Sequence, residues 1–460
     1  MMSTNPPGME RETPALPIDL YRSAIGLLAL VYFWGLNSEW ALYTAPDGYL
    51  DHEMIRKIFW FARLTLYQPW IPQPLLYGLF LSGWLACLGV FLGWRPRLCA
   101  FWGWLVATSH FRWNFPVGYL DDSSIHLGLF WCMLLPTGTT LVWWRRPYDW
   151  NAWKQQCVPG GVCRVFVVNL TLSYWVTGLT KLTSQYWLKG VALYVALQLN
   201  IARTHGWWGI SALPALKLLN YGALVLECGL PLVFLLKPGN KLRWLGFLGA
   251  CGLHLGIISS IGVSYANLCW ILSWLIALRE DLALAFGWAR SQLQVAGRWA
   301  TRYAALVVAC IALAMSEGVP GLGEAYGLGF ALQWSLGMSQ EYHLFDWIDR
   351  FNFVVEDRST LDGQPLKDAY PPGMRGLLLQ SYLLDMRWMR LPRGQVGEWQ
   401  RSLRERLERQ LARRIPKGEV ILTSRVTRVT LPDNLDMHRW VDLEIDAFTL
   451  DQGKVTLIRQ

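Results

Sequence analysis

The run VFVVNLTLSYWVTGLTKL, Val165 to Leu182, carries one charged side chain, Lys181, close to its end. Its length falls within the roughly 17–25 apolar residues that a helix needs to cross a bilayer. It does not stand alone. Similar stretches follow one another at Tyr21–Asn37, Leu75–Gly93, Leu98–Ser109, Ser124–Trp143, Val165–Leu182, Ala215–Leu236, Leu242–Gly262, Ala266–Leu278 and Tyr303–Ser316. The third and eighth of these are short enough to be tilted partners or half-spans. Composition agrees: of 460 residues, 53% are hydrophobic, only 16% are charged and 28 are tryptophan, which is far from the balance of a soluble domain. The expected fold is an all-α polytopic membrane bundle of about 8–9 transmembrane helices.

Charge orients the bundle. Arg95, Arg97, Arg145, Arg146, Lys154, Lys237, Lys241, Arg243, Arg279, Arg290 and Arg298 fall in alternate connections. The other connections, around Tyr43–Pro69, Trp113–Asp122 and Ser264–Asn267, are poorer in Lys and Arg, apart from Arg56, Lys57 and Arg63. By the positive-inside rule residues 1–17 form a cytoplasmic tail, and an odd number of spans carries the chain after the last one to the outer face. No apolar stretch with a cleavage site precedes Leu20, so the first span reads as an uncleaved signal anchor. The same bias accounts for the formal charge of +9, and no nucleic-acid partner is inferred.

The membrane part, residues 18–318, gives way to a different pattern. Over 319–460 the apolar runs shorten and charges become dense, as in a small α+β extramembrane domain on the outer face. RFNFVVEDRSTLDG reads as a strand entering an Asp362-Gly363 turn. In VDLEIDAFTL, Val441, Leu443 and Ile445 alternate with Asp442, Glu444 and Asp446, as a half-buried strand requires, and EVILTSRVTRVTL is a fitting partner strand. Val396, Trp399, Leu403, Leu407 and Leu411 recur at helical spacing, with Arg401, Arg404, Arg406 and Arg409 elsewhere on the wheel. That helix either covers the sheet or lies on anionic lipid.

Seven of the nine cysteines fall within the spans, where the residue is usually a small apolar filler, and Cys157 and Cys163 have neither disulfide-framework nor CxxC spacing. No metal-ligand cluster and no nucleotide-binding loop stands in the sequence, and no metal is predicted.

Polar residues at membrane depth are therefore where function is sought, because an ionisable group there costs several kcal/mol unless it meets a partner or a cavity. Lys181 either snorkels to the interface with Tyr186 and Trp187 as belt residues, or is buried. Burial disfavours its charged form and would free the amine as a general base. Glu227, in LVLECGLPL, lies too deep to snorkel. His254, in CGLHLGIISSIG, sits among small residues that permit close helix packing. Asp121 and Asp122 precede His126 and are placed to cap the fourth span. Lys181, the Asp121–His126 corner and the loop after His110 and Arg112 all fall at outer ends of spans, where one cavity can serve them.

The segment YWVTGLTKLTSQYWLKGVAL resembles the signature of the vitamin K-dependent gamma-carboxylase and the wider HTTM membrane proteins: an aromatic-apolar helix ending in Gly-x-x-Lys-Leu, then a Trp and a Gly. The resemblance extends through LECGLPLVFLL, HLGIISSIGVSYANL and LGFALQWSLGMSQEYHLFDW, and so over most of residues 18–350. It implies that Lys181 is the base for a reduced, vitamin K-type quinone, which reacts with oxygen to give a stronger base that lets carbon dioxide add to a peptide glutamate. His126 and His254 join it as catalytic candidates, and Glu227, Asp121, Asp122 and Trp187 line the substrate cavity. The chain departs from the carboxylase where Ser123 stands at the position of the family histidine, with His126 one turn later, and where Thr180 replaces a second lysine. Its tail is also shorter than the family's outer domain. Two other readings stay open: a non-enzymatic membrane partner for maturation of, or immunity to, a secreted peptide, and a quinone- or lipid-binding protein without turnover.

Overall fold

In the computed structural model, residues 10–118, 120–145, 148–200, 202–204, 207–288, 294–295, 301–306, 308–309, 331–332, 353–369, 393–428, 439–452 and 454–459 are described. Strand β1 (Glu10–Pro14) leads into α1 (Leu16–Glu39), and a π-helical turn, Trp40–Thr44, extends that helix. Then come α2 (His52–Ile58), α3 (Gln73–Leu92), α4 (Pro96–Trp113), α5 (Leu120–Leu134), α6 (Trp150–Gln155), β2 (Cys157–Pro159), α7 (Gly161–Lys181), α8 (Gln185–Leu188), α9 (Ala192–Gln198), α10 (Leu213–Phe234), α11 (Lys241–Ser260), α12 (Ser264–Ala277), α13 (Arg279–Phe286) and β3 (Gln294–Val295).

Among the described residues five helical segments have the length and apolar composition to cross a membrane: Leu16–Thr44, Gln73–Leu92, Gly161–Lys181, Ile210–Phe234 and Lys241–Ser260, with Ser264–Ala277 as a shorter apolar helix. The expected span Leu98–Ser109 is part of the longer α4, and that at Ser124–Trp143 ends at Leu134. The last expected span, Tyr303–Ser316, is described only in part: residues 301–306 are helical, and Ala304 and Val308 enter the main core. The 318/319 boundary lies outside the described residues. Exposed tryptophans mark both ends of the bundle, Trp94, Trp144 and Trp150 at the end where α3 finishes and Trp60, Trp70 and Trp207 at the other, as interfacial belts do.

Two groups of helices share α12. Helices α1, α3, α4 and α5 enclose a core built on Phe33, Phe80, Leu129 and Trp131, whereas α7, α10 and α11 close on Tyr174, Leu230, Ala250 and Trp274.

Helix α1 starts five residues earlier than the apolar run suggests, because its two charges neutralise each other inside. Asp19 accepts N–H bonds from Gly138 (2.7 Å), Thr139 (3.1 Å) and Thr140 (2.7 Å) and one from Arg22 Nε (2.9 Å). Arg22 also donates to the carbonyls of Val90, Phe91 and Leu141, and both side chains are fully buried. A second clasp of the same design joins Arg243 Nε to Asp281 (2.9 Å), which also accepts from Gly239 N. Arg243 is thus consumed inside the protein and is no free surface charge.

The tail sheet has the antiparallel order β6-β5-β7-β8-β9, from β4 (Phe353–Asp357), β5 (Thr360–Leu361), β6 (Gln364–Pro365), β7 (Lys417–Arg428), β8 (Arg439–Asp451) and β9 (Lys454–Arg459); β4 also pairs with β7. Asp362 (φ 50°) and Gly363 (φ 74°) make the two-residue turn between β5 and β6, where both positions must be left-handed. Helix α14 (Arg393–Arg414) precedes β7.

Its stripe Trp399, Leu403, Leu407 and Leu411 is buried between the sheet, at Val420, Leu422 and Leu450, and the connection after α1, at Tyr43, Tyr49, Leu50 and Ile55. The charged face is engaged as well. Arg406 donates to the carbonyls of Pro46 and Gly48, Arg413 to Asp47 (2.9 Å), and Ser402 to Asp51 (2.8 Å). The helix therefore covers the sheet and docks it on the bundle. Because β1 precedes α1 and the tail docks on the segment that follows it, the two lie at opposite ends of a helix of 24 residues.

His52, in this docking segment, stacks on Trp113 with ring centroids 4.1 Å apart and faces Asn114. Burial pushes its imidazole from the ordinary 6.5 down to about 3. The unfolded chain takes up this proton near pH 6.5, whereas the folded one does so only near 3, so the stability contribution is complete above the first value and is lost as pH falls between them. The slope reaches about 1.4 kcal/mol per pH unit. His52→Gln is expected to flatten the acid limb of a plot of Tm against pH.

Candidate functional site

Helix α7 brings Lys181 to its last turn, and α10 carries Glu227 past it. The two helices approach closely at Gly178, where a Cβ would lie 2.9 Å from Cys228 Sγ and 3.1 Å from the Cys228 nitrogen. Any larger residue would force α10 away from the lysine. With glycine there, Lys181 Nζ donates to both carboxylate oxygens of Glu227, at 2.6 Å to Oε1 and in closer contact still with Oε2. Relative exposures are 3% for Lys181 and 5% for Glu227, so neither reaches water.

The snorkelling expectation is therefore overturned. Tyr186 and Trp187 are buried too, at 5% and 2%, and are not belt residues. Trp187 instead places its ring over the amine, with Nζ 4.9 Å from the centroid, a cation–π distance. The outer side of α7 and the segment after it is different: Trp175, Leu179, Leu182 and Leu188 are each nearly half exposed. The buried couple thus has exposed apolar residues as chain neighbours.

His254 belongs to a network whose proton positions follow from its ends. Asn267 Nδ2 donates to the Val263 carbonyl (2.6 Å), so Asn267 Oδ1 must accept, and its partner His254 Nδ1 (2.8 Å) must carry a hydrogen. Trp274 Nε1 can only donate, and it meets the Tyr174 hydroxyl oxygen at 3.3 Å. The Tyr174 hydroxyl keeps its own hydrogen to give to His254 Nε2 (2.8 Å), the arrangement a neutral imidazole with Nδ1–H takes, and both ring nitrogens are engaged. Tyr174 lies seven residues before Lys181 on the same face of α7. Tyr174→Phe removes the donor to His254 and the acceptor for Trp274, and is expected to cost about 1–3 kcal/mol, readable by denaturation in detergent micelles.

The aspartates do not cap their own helix. Asp121 accepts the Ala266 N–H at 2.7 Å and so caps α12, and Asp122 takes the hydroxyl hydrogen of Tyr32. Adjacent residues Ala266 and Asn267 thus bind the Asp121 corner and the His254 network to one helix end. His126, 1% exposed, meets the Phe111 ring edge-on at 5.3 Å. Its helix and α7 both pack on α12.

The structure brings Lys181, Glu227 and Trp187 into contact, with His254 alongside, and commits Asp121 to anchoring α12 and Asp122 to Tyr32 of α1. Tyr174, Asn267 and Trp274 were missed in the sequence, although Tyr174 repeats with Lys181 at helical spacing. Among the described residues no group of His, Cys, Asp and Glu has a metal-binding arrangement. Comparison of the chain with family models, curated proteins and solved structures finds no match.

Proposed function

We propose that the protein is an integral membrane enzyme of the vitamin K-dependent gamma-carboxylase-like kind, in which the Lys181–Glu227 couple acts as a base on an acidic, lipid-soluble substrate. The observation that carries this is the direct contact of an amine and a carboxylate, both more than nine-tenths buried, between two helices long and apolar enough to cross a membrane. Such a pair has no need of water. A proton passed from Nζ to the Glu227 oxygen leaves the amine with a free lone pair and creates no net charge in the apolar interior. Lys181 then takes a proton from substrate, Glu227 holds the one it displaced, and the Trp187 ring keeps water out of the exchange.

A reduced quinone fits this donor set. The site offers a basic amine, a carboxylate to receive its proton and an aromatic plane, beside an apolar surface that faces lipid. When bound, the quinone supplies an acidic hydroxyl and, with oxygen, the driving force for removing a proton from a peptide glutamate. In this reading the chain crosses the membrane an odd number of times, nine by the expected spans, with residues 1–17 cytoplasmic and the tail domain outside. The opposite placement of β1 and the tail along α1, and the concentration of Arg95, Arg97, Arg145, Lys154, Lys237 and Lys241 towards the β1 end, support that orientation.

A second reading draws on the satisfaction of the ammonium: Glu227 and the Trp187 face account for its contacts, as suits a structural couple in a non-enzymatic partner of a secreted peptide. The deciding experiment uses protein in nanodiscs with a reduced naphthoquinone, oxygen, labelled bicarbonate and a Glu peptide. It compares wild type with Lys181→Ala and with Lys181→Met/Glu227→Gln. Quinone epoxide formed by wild type and by neither variant supports the enzyme. Equal background from all three well-folded proteins favours the structural couple.

A further inference from the structure

Between α7 and α10 the chain makes two short helices, and the first part of this connection, Leu182–Gly190, lies over the Lys181–Glu227 couple. We infer that Leu182–Gly190 is a strap that opens to admit substrate from the lipid, with Trp187 as its closing side chain and Asn220 as its latch. The second part of the connection is fixed: Val191, Ala192 and Val195 are fully buried in a core with Leu216 and Leu224 of α10. The strap enters the same core through Tyr186 and Trp187, but the rest of it is more lightly held. Its helix α8 is a single turn of four residues, capped by Ser184, and its outer residues Leu182 and Leu188 are 44% and 48% exposed.

Polar contacts from two adjacent residues hold it to α10. Asn220 Nδ2 donates to the Trp187 carbonyl (3.0 Å), and the Tyr221 hydroxyl donates to the next carbonyl, that of Leu188 (3.0 Å). Asn220 is fully buried and stands seven residues before Glu227, two turns away on the same face of α10. One helix face thus positions both the carboxylate under the amine and the ring over it. Between strap and fixed core sits Gly190, at φ +73°, with the Tyr221 ring 2.9 Å from where a Cβ would be. That left-handed joint is open to glycine and gives the strap a pivot next to its latch.

The inference rests on the reading of Lys181–Glu227 as a working site, and its test does not require turnover. Protein in nanodiscs is treated with acetic anhydride, which crosses lipid, and acetylation is followed residue by residue by mass spectrometry. Lys189, exposed on the same segment, serves as the reference for an accessible amine. Cys87, fully buried in the other helix group, reports global loosening through its reaction with N-ethylmaleimide. Asn220→Ala is expected to raise Lys181 acetylation roughly tenfold relative to Lys189, the factor for losing one or two hydrogen bonds, with Cys87 still protected. Tyr221→Phe should produce a smaller rise. No rise in Asn220→Ala, or a rise matched by exposure of Cys87, would overturn the strap. A positive labelling result beside a negative quinone assay would remove the proposed chemistry and leave the gate standing.

Discussion

Removing Lys181 alone is expected to destabilise the protein by about 3–5 kcal/mol, the usual cost of leaving one member of a buried pair without its partner. The carboxylate of Glu227 would then be buried with its strongest contact gone, inside a helix pair that Gly178 holds too close for water to replace the amine. Glu227→Gln alone should cost a similar amount by stranding the ammonium under Trp187. The double variant Lys181→Met/Glu227→Gln is expected to recover most of the loss, because a pair of charges replaced together removes two desolvation costs at once. Denaturation of all four proteins in detergent gives the double-mutant cycle. A double variant as unstable as the sum of the singles would mean that the couple is not the interaction these side chains make. The same variant is the folded control for the activity assay, since it separates loss of a base from loss of structure.

Asp19→Ala is expected to have the next largest effect, about 3–5 kcal/mol, because Arg22 would remain fully buried with its counter-charge removed. The backbone donors of Gly138, Thr139 and Thr140 would lose their acceptor in the same step. Asp19→Asn should be milder, since its carbonyl oxygen can still accept one or two of those bonds. Thermal unfolding followed by tryptophan fluorescence can rank the three proteins. Loss of the 138–141 connection from its place should also open that connection to added protease. If Asp19→Ala unfolds within 1 °C of wild type, the clasp contributes nothing to stability.

Much of the membrane fold was legible because a bilayer imposes one strong rule, that a spanning segment be long and apolar. The α3, α7, α10 and α11 helices follow it, and the Asp362-Gly363 turn was readable for an equally local reason, a backbone conformation that few residue types adopt. Arg243 was misjudged by the same rule, and Asp19 was left just outside the first expected span. In sequence a charge marks the end of a span, and only its distant partner reveals that it is inside.

The sequence by itself determined that this chain is a helical membrane bundle with a small mixed domain after it, and that Glu227 and His254 are polar groups within expected spans and Lys181 one at a span's end. Periodicity and transfer free energy act on each segment separately, so they reach that far. What the tertiary structure decided is which of these groups meet. Lys181 and Glu227 are 46 positions apart, and Tyr174 and His254 are 80 apart. The strap over the couple and the docking of α14 on residues 46–51 likewise join segments that no local pattern relates. Pairing across such separations is fixed by packing and by the demand that every buried polar group find a partner, and that demand is satisfied only once the helices have come together.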